Sequence, residues 1–333
     1  MRGAWLSAPA ASLRGMPVLG ICFPREFPPA DLLPSARAVE RAGVDDLWLI
    51  EDCFFTTAPS LAAAALAGTE RIRVGMGILP AVARNPAIVA MELATLAGLG
   101  PGRLIGGIGH GVQEWMGQIG ARQPSPLSAL AEVLDAVRAL LRGEQVTAEG
   151  RFVRLQEVRL DRPPQPVPPV LAGVLGPKSL ALAGRHADGL VLADWPVPDY
   201  VRSARQLAGG GDGFQVAVFA AASLDADRGL ARARVAGELA ASVSRSPGTL
   251  RALPFFDDLA TRVQADGPEA VLRMPDDWWR QIGAIGTPDD AAAHVQALVD
   301  AGADRVALFL PPDRSLWDAQ LGLAGNVAAT LAR

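Results

Sequence analysis

Val18-Leu19-Gly20-Ile21-Cys22-Phe23-Pro24-Arg25 decides between the two architectures in which strands and helices alternate along a chain. The apolar run Val18–Phe23 reads as a buried strand. A doubly wound dinucleotide fold would follow it at once with a Gly-x-Gly-x-x-Gly turn. Pro24-Arg25 stands there instead. Outward from this strand, further strand-like segments recur at Asp46–Ile50, Ile72–Leu79, Arg103–Gly109, Val170–Leu175, Gly189–Asp194, Gln215–Ala222 and Arg305–Leu310. Helix-like stretches separate them: Leu32–Ala42, Ser60–Ala67, Pro86–Ala97, Leu127–Leu141, Lys178–His186, Pro198–Leu207, Asp225–Val243 and Pro288–Ala301, with a closing one near Leu316–Leu331. Eight strands, each followed by a helix, predict an α/β fold of the (β/α)8 TIM-barrel type.

Local punctuation agrees with this division. Thr287-Pro288-Asp289-Asp290 places a cap residue before a first-turn proline and acids, the combination that starts a helix. Gly302 and Gly43 each stand where a helix should stop before the next strand. Two stretches interrupt the alternation. Gly143–Pro169 is expected to form a short hairpin and linker. Ser244–Gly286, with Phe255-Phe256 and Trp278-Trp279, is long enough to cover the barrel mouth.

The chain has 333 residues, half of them apolar, which suits one barrel with insertions as well as it suits two smaller domains. We expect residues 1–16 to be a loose extension, since they lack the apolar core of a secretory leader, and residues 17–333 to form one domain. Lys and Arg total 31 against 35 Asp and Glu, a net charge of −4 without blocks of one sign. That balance argues against nucleic-acid or acidic-membrane partners. No apolar run reaches the length of a membrane span. The two cysteines, Cys22 and Cys53, form neither a disulfide framework nor a zinc-type pair, which points to the reducing cytoplasm. No histidine pattern supplies metal ligands, so no metal is expected, and no Gly-x-Ser-x-Gly elbow supports a serine hydrolase.

Barrel chemistry sits at the C-terminal ends of strands, which directs attention to the exits of the second, fourth and fifth. The second strand ends in Glu51-Asp52-Cys53, two acids that either serve the reaction or cap the next helix. The fourth runs into Gly109-His110-Gly111-Val112-Gln113-Glu114-Trp115, where glycines admit a flat ligand close to the backbone. His110 is the one histidine of three outside a helix-like stretch. The fifth ends in Gly173-Val174-Leu175-Gly176-Pro177-Lys178, a glycine turn before a helix start, which favours a phosphate. Lys178 is the only lysine in the chain. Trp115, Trp195, Phe255 and Trp278 are the aromatic candidates for contact with a small-molecule substrate, set against a plain packing role.

These motifs in order resemble those of the luciferase-like monooxygenase superfamily. The resemblance is carried by Gly43-Val44-Asp45-Asp46-Leu47-Trp48 with Glu51-Asp52, Arg71–Ile78, Arg84-Asn85-Pro86, Gly102-Arg103-Leu104 and Gly109-His110-Gly111-Val112. It continues through Gly176-Pro177-Lys178, Ala187-Asp188-Gly189, Gly286-Thr287-Pro288 and Ala301-Gly302-Ala303-Asp304. Within the superfamily the sequence is similar to the branch that resembles methylenetetrahydromethanopterin reductase and uses the deazaflavin coenzyme F420. The resemblance implies a ring across the barrel mouth and a cis Gly77-Ile78 peptide behind it. It further implies a phosphate near Gly173–Lys178, with Glu51, Asp52, Gly109, His110 and Gly111 beside the cofactor.

The expected reaction is hydride transfer between F420 and a small organic substrate, with Asp52 or His110 moving a proton where one is needed. The alternative is an FMN-dependent monooxygenase that uses oxygen and reduced flavin from a separate reductase. A non-catalytic binding barrel is a third possibility, against which the acids and glycines at the strand exits argue. The family further implies a homodimer.

Overall fold

Eight parallel strands close on themselves in the computed structural model, which describes residues 17–333. The extension read over residues 1–16 lies outside the described residues. The barrel strands are β1 (Val18–Phe23), β2 (Asp46–Leu49), β3 (Arg73–Met76), β4 (Leu104–Gly109), β5 (Val170–Gly173), β6 (Gly189–Leu192), β7 (Gln215–Leu224) and β8 (Arg305–Phe309). Each pairs in parallel with the next, and β8 returns to β1 with Val18 opposite Arg305. The expected (β/α)8 barrel is therefore the observed one. Around it stand α1 (Leu32–Arg41), α2 (Ala58–Gly68), α3 (Pro86–Leu99), α4 (Pro126–Leu141), α5 (Pro177–His186), α6 (Pro198–Ala208), α7 (Arg228–Arg245), α8 (Pro288–Asp300) and α9 (Trp317–Leu331).

Helix starts follow the residues that mark them. Asn85 accepts from the amide of Ala87 at 2.9 Å ahead of Pro86. Thr287 and Asp290 form the reciprocal capping box of α8, so two otherwise unpaired amides of the first turn are satisfied. The barrel interior is filled by Trp48, Ile105, Leu171, Val191, Ala217 and Phe219, with Trp48 and Phe219 edge to face at 5.1 Å. The glycines of β3 and its exit make room for these rings. A Cβ on Gly75 would sit 2.4 Å from Trp48, and one on Gly77 2.4 Å from Phe219. At the opposite end of the barrel, the fully buried Asp46 accepts from Arg73 at 2.7 Å and Arg305 at 2.8 Å. This pairing ties β2 to β3 and β8 and compensates a charge that burial alone would penalise heavily.

Several boundaries differ from the sequence reading. The strand expected over Ile72–Leu79 is broken: β3 ends at Met76, the Gly77-Ile78 peptide is cis, and Leu79–Pro80 resumes pairing with β4. The Cys53-Phe54 peptide is also cis, which nothing in the sequence reading anticipated. Gly143–Pro169 contains an antiparallel pair, Val146–Glu149 with Arg154–Val158. Ser244–Gly286 folds into three short helices, Phe256–Asp266, Pro268–Leu272 and Asp276–Ile282, before a strand Ala284–Gly286 that pairs with β7. Helix α7 packs with that segment: Val235, Leu239 and Val243 share an apolar cluster with Leu250, Leu259 and Trp279.

Candidate active site

The strand exits open into a cavity of about 960 Å³, within the range of sites that hold a cofactor-sized ligand. Glu51 and Asp52 line it from β2, Gly77 and Ile78 from β3, and His110, Gly111 and Trp115 from β4. Gly173, Val174, Leu175 and Gly176 line it from β5, and Trp195 from β6. Segments far apart in sequence thus meet because every strand of a parallel barrel ends at the same face.

The two acids after β2 are both engaged. Glu51 is 9% exposed. Its Oε1 accepts from Arg84 Nη1 at 2.5 Å, and its Oε2 from Arg84 Nη2 at 3.0 Å and from the amide of Ala58 at 3.0 Å. The carboxylate therefore caps α2 and clamps the β3 exit to it, and its hydrogen bond raises the Arg84 guanidinium above its ordinary range. Asp52 is ion-paired with Arg25. That guanidinium also meets Glu26 at 3.0 Å and lies 4.9 Å over the ring of Phe55, a cation–π contact.

His110 Nε2 lies 3.0 Å from Ser179 Oγ on the first turn of α5. Burial lowers the pKa of the imidazole below its ordinary value, opposed by the Pro126 backbone. A neutral ring at pH 7 follows, available to accept or pass a proton. Gly176 is the N-cap of α5, and a Cβ there would meet nothing within 4 Å. The carbonyl of Leu175 accepts from Tyr200 Oη at 2.6 Å, and burial, reinforced by Asp194, pushes that phenol to about 12. The turn after β5 is thus anchored from α6 by a group that keeps its proton.

Asp194 and Trp195 both have left-handed backbone, with φ of 63° and 59°, a conformation costing non-glycine residues roughly 1–2 kcal/mol each. Thr249 Oγ1 donates to the Asp194 carbonyl and holds this bend to the covering segment. Trp195 belongs to the apolar cluster of that segment while also lining the cavity.

Some expected residues lie elsewhere. Phe255 and Trp278 stack on each other at 4.1 Å, with Arg262 5.1 Å above Trp278, and pack against the core of the covering segment rather than lining the cavity. Their apolar faces are satisfied by helix packing. Gly109 is buried in β4 opposite Gly173. Pro177 and Lys178 are exposed on the first turn of α5 and do not line the cavity, whereas Ser179 does. A helix turns about 100° per residue, so one position decides which side chain faces inward.

The sequence reading passed over Arg25, Ser179, Asp194, Phe219, Glu238, Arg245 and Phe309–Pro312, all of which line the cavity. Arg25 and Phe309–Pro312 are strand exits and could have been included by applying the barrel rule to all eight. Val235, Glu238 and Arg245 share one face of α7 through their spacing of three and seven.

The closed parallel barrel, with its strand exits opening into one cavity, defines the class as a (β/α)8 barrel. The chain belongs to the luciferase-like monooxygenase family, whose model matches residues 4–305. It is 27% identical over 310 residues to the 5,10-methylenetetrahydromethanopterin reductase of Methanolobus tindarius, covering 87% of this chain and 94% of that one. It is 34% identical over 179 residues to the F420-dependent glucose-6-phosphate dehydrogenase of Beutenbergia cavernae, covering 50% of this chain and 53% of that protein. The coenzyme F420-dependent tetrahydromethanopterin reductase of Methanopyrus kandleri superposes with a TM-score of 0.78 at 22% identity, covering 95% of this chain and 99% of that one.

Proposed function

We propose that the protein is a coenzyme F420-dependent oxidoreductase that moves hydride between the deazaflavin and a small organic substrate. The observation that carries this reading is the convergence of the β3, β4 and β5 exits in one cavity, with His110 bonded to the helix that Gly176 begins. The relatives named for F420 support the choice of cofactor.

The residues present suit such a group. Ile78, Val174 and Val191 give apolar walls for a flat ring, and the open space at Gly176 leaves the first turn of α5 accessible to an anionic tail. When bound, F420 supplies or accepts the hydride. His110 takes or returns the proton at Nε2 through the hydroxyl of Ser179, which lies 3.0 Å from that nitrogen and itself lines the cavity. Asp52 stays paired with Arg25 and shapes the field of the site. Trp195 and Phe219 help exclude water from the reacting groups.

The reading is tested by mixing F420-loaded protein with a panel of secondary alcohols without oxygen and following deazaflavin absorbance. Bleaching with some alcohols is expected. Bound cofactor that no alcohol or carbonyl compound reduces or oxidises would contradict it.

Two free cysteines, Cys22 buried and Cys53 half-buried, accord with a cytoplasmic site of action. No helix among the described residues is long and apolar enough to cross a membrane. A homodimer through the outer face of α3 accounts for Ile88, Met91 and Leu99, which α3 exposes by 47%, 54% and 47%. Met91→Glu should convert it to monomers in light scattering, and an unchanged mass would reject that interface.

A further inference from the structure

Among the described residues two guanidinium groups line the cavity, and they are placed differently. Arg25 is engaged by Asp52, Glu26 and Phe55. Arg245, the last residue of α7, has no carboxylate within ion-pair distance among the described residues. The hydrogen bond found for its side chain runs from Nη2 to Ser242 Oγ, 2.8 Å away and one turn back. That bond holds the group at the helix C-terminus, where the backbone dipole favours a cation, and leaves the other donors of the planar fork unengaged.

We infer that Arg245 is the receptor for an anionic group on the substrate, a carboxylate or a phosphate carried away from the carbon that exchanges hydride. The inference rests on the proposed F420 chemistry and names the substrate class for that same cavity. Val235 and Glu238 share the inward face of α7 with Arg245, and Glu238 lies about 10 Å along the helix axis from it. The anionic end of the substrate therefore sits by the end of α7, and the rest of the molecule runs past the Glu238 carboxylate, which calls for a hydroxyl or other donor there, and then past Val235 and Trp195 toward His110. In the proposed reading the cofactor's own anionic tail goes to the first turn of α5, which Gly176 leaves open, and Arg245 is left for the substrate. A planar guanidinium binds carboxylate and phosphate through paired hydrogen bonds, which an ammonium reproduces in charge but not in geometry.

The test titrates the protein with inorganic phosphate and, separately, with succinate at constant ionic strength, with and without F420, reading the tryptophan fluorescence to which Trp195 contributes. Saturable binding of at least one anion is expected. Arg245→Gln should weaken it about tenfold or more, and Arg245→Lys should recover part of the loss. Affinity for F420 should be the same in all three proteins. The anion that binds more tightly identifies the group on the substrate. Absence of saturable anion binding to the wild-type protein, or equal binding by Arg245→Gln, would overturn the inference. A parallel loss of F420 affinity in Arg245→Gln would overturn it too, by assigning Arg245 to the cofactor. Failure of F420 to bind the wild-type protein would defeat the cofactor reading instead, and the anion titration without F420 tells the two failures apart.

Discussion

His110 Nε2 and Ser179 Oγ, 69 residues apart in sequence, lie 3.0 Å from each other and join the exit of β4 to the first turn of α5. The imidazole thus has a fixed orientation and, through burial, a pKa below its ordinary value. As a neutral proton acceptor it works above that pKa and is lost as pH falls through it. The profile of kcat/KM for substrate oxidation should therefore be flat near pH 7 and decline only on the acid side of the ordinary histidine range. His110→Gln should lower the plateau roughly 100-fold and remove that acid limb, and Ser179→Ala should lower it about tenfold. An unchanged acid limb in His110→Gln would assign the proton to another group.

Arg84→Ala should destabilise the fold by about 3 kcal/mol, because it leaves the nearly buried Glu51 carboxylate without its bidentate partner. Glu51→Gln should cost less, since the amide oxygen can still accept from Ala58. Urea denaturation of both variants measures the difference. Wild-type stability in both variants would mean that the pair contributes nothing to α2 and the β3 exit.

Much of this architecture was legible because it depends on local pattern. Eight apolar segments and the Pro24-Arg25 that replaces a glycine turn sufficed for the barrel, and Thr287 with Asp290 marked a helix start to the residue. The exits of β2, β4 and β5 pointed to the cavity for the same reason. What stayed hidden depends on tertiary partners. That Glu51 caps α2 through the Ala58 amide while holding Arg84, 33 residues away, depends on a partner no local pattern reveals. That Phe255 and Trp278 stack on each other and pack into the covering segment depends on residues that periodicity does not reveal. Lys178 drew attention as the only lysine, yet its neighbour Ser179 is the one that faces the cavity. Helix α7 was read as an ordinary barrel helix, because periodicity shows that a face is apolar without showing what it packs against.

Gly176→Val should leave the fold intact, since the new side chain enters open space, while weakening F420 binding about tenfold or more by blocking the start of α5. Gly107→Ala is the contrasting control. Its Cβ would fall 2.1 Å from the Met76 carbonyl oxygen, so it should unfold the protein or shift the barrel strands. Circular dichroism and F420 fluorescence together separate the outcomes. Full F420 affinity in a folded Gly176→Val protein would move the anionic tail away from this turn.

The central claim is that this cavity holds a deazaflavin, and parallel fluorescence titrations of the wild-type protein with F420 and with FMN test it most directly. The account predicts saturable quenching of F420 at one cofactor per chain, with FMN bound at least about tenfold more weakly. Tight binding of FMN with no binding of F420, or binding of neither, would contradict it.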